Sequence, residues 1–209
     1  MLRVKICGLT TPQDAAAAIE FGADALGFNF FPGSKRYVRI ETAGDWIAGL
    51  PETVEKVAIL VNPVWDEAMA AAKTAGITAL QLHGAESPEF CRQLMEHGVR
   101  FEKAIPVIDA DSVTNVPDFF TRTVLLDSAG AGEFGGSGRI FPWEIARNFV
   151  RANPHVRVIL AGGLTPENVA EAVALVRPFG VDVTSGVEST AARKDHGRMR
   201  AFIAAARGS

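Results

Sequence analysis

Short apolar runs alternate with amphipathic segments along the whole chain, and most of the runs are closed by a polar residue or a glycine. The first run, residues 4–10, alternates apolar and polar side chains and is predicted to be a strand. Residues 11–21 follow as a predicted helix, because Thr11 is a good capping residue and Pro12 suits the first helical position. This strand–helix unit is the one that the rest of the chain repeats.

The same periodicity predicts seven further strands and a helix in most of the connections between them. The predicted strands cover 24–30, 56–61, 79–82, 101–105, 123–126, 156–160 and 181–183. The predicted helices cover 41–49, 66–75, 87–98, 143–150, a segment that starts at 165, and 195–206. Between 109 and 120 the pattern is mixed, which indicates a short or distorted fifth helix.

Eight strand–helix units in 209 residues favour a compact, single-domain (β/α)8 barrel over residues 1–209. No linker or low-complexity segment divides the units. An open, doubly wound parallel sheet is the alternative fold. It ranks second because eight parallel units of similar length close more naturally than they stay open.

Charge and composition narrow the class of partner. The net charge is −3, so nucleic acid and anionic membranes are not expected as main partners. No apolar run approaches the length of a membrane span, and the first residues do not resemble a signal peptide. Two cysteines form no disulfide framework, which suits the reducing cytoplasm. We therefore expect a cytoplasmic protein that acts on a small molecule. For the oligomeric state, a monomer and a homodimer both stay open.

Polar residues and glycines gather where the predicted strands end, and barrel enzymes place their chemistry at the carboxyl ends of the strands. The residues at these positions are Cys7, Asn29, His83, Asp127, Gly162, Gly163, Ser185 and Gly186. A free cysteine is usually a small buried hydrophobe, as Cys91 is predicted to be beside apolar helix neighbours. The position of Cys7 at a strand end instead makes it a candidate catalytic base.

Asp127 directly follows an apolar run, and partial burial there favours the neutral carboxyl group, which can donate a proton near neutral pH. The alternative role for Asp127 is to cap its own turn. His83 is a candidate substrate-binding residue, although a lone histidine is more often a hydrogen-bonded structural residue. Cys7, His83 and Asp127 together also have the composition of a three-ligand metal site, but nothing in their spacing requires a metal.

The glycine-containing ends of the seventh and eighth strands suit a phosphate group. Barrels often bind phosphate there through backbone N–H groups, although each glycine pair also fits a simple turn. Residues 128–138 form a glycine-rich loop that is either a surface loop or a lid over the substrate. Arg36, in the second loop, is placed to pair with a substrate carboxylate, although an exposed arginine is usually only solvated.

Motifs along the whole chain resemble those of phosphoribosylanthranilate isomerases. They are Lys-Ile-Cys-Gly-Leu-Thr (5–10), Gly-Ala-Asp-Ala-Leu-Gly-Phe (22–28), Ser-Lys-Arg-Tyr-Val (34–38), Leu-Gln-Leu-His-Gly (80–84), Leu-Leu-Asp-Ser (125–128), Gly-Gly-Ser-Gly (135–138), Ala-Gly-Gly-Leu-Thr-Pro-Glu-Asn-Val (161–169) and Val-Asp-Val-Thr-Ser-Gly-Val-Glu (181–188). The resemblance implies a cofactor-free barrel enzyme of tryptophan biosynthesis. Such an enzyme converts N-(5′-phosphoribosyl)anthranilate into 1-(2-carboxyphenylamino)-1-deoxyribulose 5-phosphate by an Amadori rearrangement.

The resemblance also implies roles for the strand-end residues. It makes Cys7 the general base and Asp127 the general acid, with the phosphate on the glycine segments and the anthranilate carboxylate near Arg36. Two departures from the family pattern are Lys35, where a proline is common, and residues 191–193, where Pro-Gly is common. Neither departure touches the two catalytic positions.

Two other functions remain open from the sequence. One is a different phosphosugar enzyme, either a metal-dependent epimerase or a histidine-pathway aminoaldose isomerase. The epimerases need several His and Asp ligands, and the histidine-pathway enzymes carry an Asp where this chain has Cys7. The other is a non-catalytic phosphate-binding barrel, which would not need both Cys7 and Asp127.

Overall fold

Eight parallel strands close into one barrel, each hydrogen-bonded to the next in sequence and the last to the first. The computed structural model describes residues 1–114, 116–128 and 141–208. The strands are β1 (Arg3–Ile6), β2 (Ala25–Asn29), β3 (Glu55–Leu60), β4 (Ala79–Leu82), β5 (Phe101–Pro106), β6 (Thr123–Asp127), β7 (Arg157–Leu160) and β8 (Gly180–Val183). The predicted (β/α)8 barrel is confirmed.

Helices surround the barrel in the order that the periodicity predicts. They are α1 (Pro12–Glu20), α2 (Ile40–Ala48), α3 (Trp65–Lys73), α4 (Pro88–Glu96), α5 (Trp143–Ala152), α6 (Val169–Val176) and α7 (His196–Arg207). Thr11 caps α1 by accepting a hydrogen bond from the Asp14 backbone N–H at 3.2 Å, as its residue type predicts. The mixed segment after β5 forms two 3₁₀ helices, Ala110–Val113 and Val116–Phe119, in place of an α-helix.

Two predicted boundaries differ from the structure by more than two residues. β1 ends at Ile6, not at residue 10, because Gly8 takes a φ of +71° and turns the chain over the barrel rim. α6 begins at Val169, not at 165, because the Asn168 side chain accepts a hydrogen bond from the Thr165 N–H and holds residues 165–168 in a turn. Most of the glycine-rich loop over residues 128–138, for which a lid was one interpretation, lies outside the described residues, from 129 onward.

The outer faces of the strands carry the apolar core that the helices cover. Val4, Ile6, Phe28 and Phe202 are fully buried in that core. The barrel interior is different, because Lys5, Gln81, Glu102 and Asp182 are buried inside it. Side chains two residues apart share one face of a strand, so this polar layer leads directly to the side chains at the carboxyl ends.

Candidate active site

A cavity of about 530 Å³ opens at the carboxyl ends of the strands. All eight residues that the sequence analysis assigns to a site line it: Cys7, Arg36, His83, Asp127, Gly162, Gly163, Ser185 and Gly186. Asn29 lines it as well. Their convergence on one cavity is the geometry that a barrel active site requires.

Cys7 sits immediately after β1, and its backbone N–H donates to the Val183 carbonyl at 2.9 Å. The side chain rests against Gly27 of the neighbouring strand, where an added Cβ atom would lie only 2.8 Å from the sulfur. Burial, together with the carboxylate of Asp182, raises the pKa of the thiol, although Lys5 and Lys194 act in the opposite direction. Lys5 therefore favours the thiolate, but burial and Asp182 outweigh it, so the pKa of the Cys7 thiol lies above its ordinary value.

Asp127 ends β6 and is 5 % exposed. Its Oδ2 lies 3.2 Å from Nε2 of His83, which follows β4. Across residues 1–114, 116–128 and 141–208, no group of three or more His, Cys, Asp or Glu side chains is arranged to hold a metal ion. The contact between His83 and Asp127 is a hydrogen bond.

Beneath these side chains, Lys5 forms the centre of a buried polar cluster. Its ammonium group donates to Gln81 Oε1 and to Glu102 Oε1, the latter at 3.2 Å, and lies 3.3 Å from Asp182 Oδ1. This cluster was not among the sites predicted from the sequence. The sequence does carry a signal for it. Lys5 lies two positions before Cys7 and Gln81 lies two positions before His83, and a spacing of two places side chains on the same, inner face of a strand.

Arg36 reaches the cavity from the second loop, but its guanidinium group is already hydrogen-bonded to the carboxylate of Glu188. Its Nε and Nη2 donate to the two oxygens of Glu188, each at 2.7 Å. Lys194 approaches the same carboxylate at 3.1 Å, and these cations outweigh burial and lower the pKa of Glu188. The Arg36 side chain passes directly against Gly8, because a Cβ atom added to Gly8 would lie 2.6 Å from Cδ of Arg36.

The segment after Glu188, in which the sequence departs from the family pattern, is a small hairpin. Its two strands are Glu188–Thr190 and Arg193–Lys194, joined through Ala192 at a φ of +64°. The hairpin carries both Glu188 and Lys194. The departure therefore lies beside the ion pair that holds Arg36.

The glycines after β7 and β8 bring two backbone segments to the cavity wall. Gly162 and Gly163 have φ values of +80° and +65°. A Cβ atom on Gly162 would lie 2.3 Å from the Ser128 hydroxyl, and one on Gly186 would lie 1.9 Å from the Leu164 carbonyl oxygen. Glycine is required at both places, and at Gly162, Gly163 and Gly186 only backbone atoms can face the cavity.

The chain is similar to known proteins along nearly its whole length. The family model described as N-(5'phosphoribosyl)anthranilate (PRA) isomerase matches residues 4–205. The enzyme named N-(5'-phosphoribosyl)anthranilate isomerase from Geobacter sp. strain M21 is 44% identical over 207 residues, covering 99% of this chain and 98% of that protein.

No helix among the described residues is both long and apolar enough to cross a membrane.

Solved structures give the same match. The crystal structure of phosphoribosyl anthranilate isomerase from Thermotoga maritima superposes with a TM-score of 0.91 at 40% identity, covering 100% of both chains. A phosphoribosyl anthranilate isomerase in complex with reduced 1-(o-carboxyphenylamino)-1-deoxyribulose 5-phosphate superposes with a TM-score of 0.87 at 37% identity, again over 100% of both chains.

Proposed function

This chain belongs to the N-(5'-phosphoribosyl)anthranilate isomerase family, and we propose that it catalyses the family's reaction in tryptophan biosynthesis. The substrate is N-(5′-phosphoribosyl)anthranilate and the product is 1-(2-carboxyphenylamino)-1-deoxyribulose 5-phosphate. The observation that carries the proposal is the meeting of Cys7 and Asp127 with the glycine segments in one cavity, in a chain that matches family members from end to end.

We assign ring opening to Asp127. The protonated carboxyl group gives its proton to the furanose ring oxygen, the C1′–O bond breaks, and the nitrogen lone pair forms a C=N bond to C1′. Asp127 suits this role because it is buried at the end of β6 and faces the cavity. A positioned acid of this kind contributes a factor of about 10²–10⁴ to the rate.

We assign the second proton transfer to Cys7. The cationic imine acidifies the proton on C2′ and the thiolate removes it. The electron pair of the C–H bond forms the C1′=C2′ bond of an enolamine, and the π electrons of the C=N bond return to nitrogen. The enol then tautomerises to the ketone, which gives C1′ its second hydrogen. The thiol must lose its own proton first, and its raised pKa makes that step more demanding than for an exposed cysteine.

Binding groups hold the two ends of the substrate. We assign the phosphate to the backbone at Gly162, Gly163, Ser185 and Gly186, where remote binding energy can orient the sugar. The bonds to Glu188 use Nε and Nη2 of Arg36, so we assign its Nη1 to the anthranilate carboxylate. His83 lines the same cavity, and we assign it to the substrate-binding groups.

The test is a turnover assay. N-(5′-phosphoribosyl)anthranilate generated in situ is fluorescent through its anthranilate ring, and the signal falls on conversion. Wild-type protein is expected to remove the signal equally with and without a chelator and to yield the ketose phosphate. A histidine-pathway aminoaldose is assayed in parallel. A folded protein that turns over neither substrate, or only the second, would overturn the assignment.

Two coarser expectations accompany the reaction. We place it in the cytoplasm, where the free Cys7 and Cys91 stay reduced. The oligomeric state stays a prediction of monomer or homodimer.

A further inference from the structure

A line of hydrogen bonds crosses the barrel interior from Lys5 to the acid of the proposed reaction. The Lys5 ammonium donates to Oε1 of Gln81, whose Nε2 lies 2.6 Å from Nδ1 of His83. Nε2 of His83 lies 3.2 Å from Oδ2 of Asp127. β1 and β4 are not neighbours in the barrel, so the bond between Lys5 and Gln81 spans the interior.

The direction of each bond follows from Lys5. An ammonium group has three donors and no acceptor, so it can only face the oxygen end of the Gln81 amide. Burial alone lowers the pKa of Lys5, but the carboxylates of Asp182 and Glu102 outweigh it and raise the pKa above its ordinary value. The lysine is therefore charged: its ammonium group donates to Gln81 and Glu102 and lies 3.3 Å from the carboxylate of Asp182.

With its oxygen on Lys5, the Gln81 amide turns its NH₂ group toward Nδ1 of His83. A donor so placed requires an acceptor, so Nδ1 carries no proton. We propose that Lys5 and Gln81 hold His83 in the neutral tautomer that carries its proton on Nε2. The Nε2–H then donates to Oδ2 of Asp127. Lys5 and Gln81 act as positioning residues, and His83 transmits their effect to the acid.

The tautomer matters to the chemistry, and this part of the inference rests on the proposed function. A neutral imidazole orients the carboxyl group of Asp127 through one oxygen and leaves the other for the substrate. A cationic imidazolium in the same place would favour the carboxylate form, which has no proton to donate. The buried glutamine thus keeps a positive charge away from the acid, although the lysine that orients it is itself charged.

The first test is spectroscopic and does not depend on activity. Two-bond ¹H–¹⁵N spectra distinguish protonated from unprotonated imidazole nitrogens, and His83→Gln identifies the His83 signals among the four histidines. At neutral pH we expect His83 to show an unprotonated Nδ1 and a protonated Nε2. A protonated Nδ1, or averaging between tautomers, would overturn the proposal.

The second test concerns the Lys5–Gln81–His83–Asp127 relay of hydrogen bonds. It reverses the hydrogen bond between residue 81 and His83 with little change in the shape of the side chain. In Gln81→Glu the carboxylate keeps a partner in Lys5 but presents an acceptor to Nδ1, so His83 should gain a proton there. We expect that signal to appear and kcat to fall roughly 10²-fold, the lower end of a proton-transfer contribution. Gln13→Glu makes the same substitution at an exposed position of α1 and should leave both unchanged.

A third comparison separates positioning from packing. His83→Gln can keep an N–H near Asp127, whereas His83→Leu cannot, so the glutamine variant should retain at least 10-fold more activity. Equal losses in the two variants would contradict a donor role for His83. If the wild-type protein fails to turn over the phosphoribosylanthranilate while the tautomer is as expected, the proposed function fails and the relay stands.

Discussion

Gly27 lies directly against the cysteine to which we assign the base role, and adding one methyl group to it is the sharpest steric test of the site. In Gly27→Ala the new Cβ atom would lie 2.8 Å from Sγ of Cys7, 3.0 Å from the Cys7 Cα atom and 3.1 Å from Cδ1 of Ile59. Carbon atoms pack at about 3.5–4.0 Å. One or more of these neighbours must therefore move by several tenths of an ångström.

Two magnitudes follow from this displacement. Forcing a methyl group into a well-packed interior destabilises a protein by about 1–3 kcal/mol. Moving a reacting group by about 1 Å lowers the rate about 10²-fold, because proton transfer depends on geometry. A displacement of several tenths of an ångström is smaller than this, so we expect Gly27→Ala to remain folded, to unfold at lower urea concentration, and to lose roughly 10-fold in kcat.

A matched substitution separates these effects from that of alanine itself. Gly44 lies inside α2, and an added Cβ atom there has its nearest neighbour 3.9 Å away, at Cγ2 of Thr74. Gly44→Ala should stabilise the helix by about 0.5–1 kcal/mol and leave turnover unchanged. Both variants are compared by urea unfolding and by the fluorescence assay. A Gly27→Ala protein with wild-type kcat and wild-type stability would refute the packing argument for Cys7.

Three further predictions concern the charged groups. The base form of Cys7 is the thiolate and burial raises the pKa of its thiol, so kcat/KM should rise with pH through a value above that of an ordinary cysteine; a flat alkaline limb would contradict this. Arg36→Lys loses the paired bonds to Glu188 and should lower kcat/KM by the equivalent of about 1.5–3 kcal/mol, whereas unchanged kinetics would remove Arg36 from the site. Lys103→Met leaves the buried carboxylate of Glu86 without its ion pair and should lower the free energy of unfolding by about 3–5 kcal/mol in urea titrations; wild-type stability would contradict that ion pair's role.

The fold could be predicted from the sequence because each unit is a local pattern. Apolar runs, capping residues and glycine stops act within a few positions, and Ala79–Leu82 was predicted to the residue. The strand ends could be predicted for the same reason, since parallel strands bring their carboxyl ends to one rim. The position of Cys7, His83 and Asp127 in one cavity follows from that rule alone.

The rest depends on pairs that are distant along the chain. Arg36 and Glu188 are 152 positions apart, and no local pattern indicates that the guanidinium already holds a carboxylate. The bond between Lys5 and Gln81 joins strands on different sides of the barrel, so it appears only when the barrel closes. The net direction of the Cys7 pKa shift is a balance of burial and opposing charges, which the sequence does not supply.

The acid–base assignment is tested most directly by measuring the turnover of three variants, in which Cys7, Cys91 or Asp127 is replaced. Cys91 belongs to α4, is fully buried in the apolar core and does not line the cavity. Cys91→Ala should lose about 1 kcal/mol of stability, as for deletion of a small buried group, and keep turnover. Cys7→Ala and Asp127→Asn should each bind the product, remain folded and lose most of kcat. Substantial turnover in either of these two variants would contradict the assignment of base and acid.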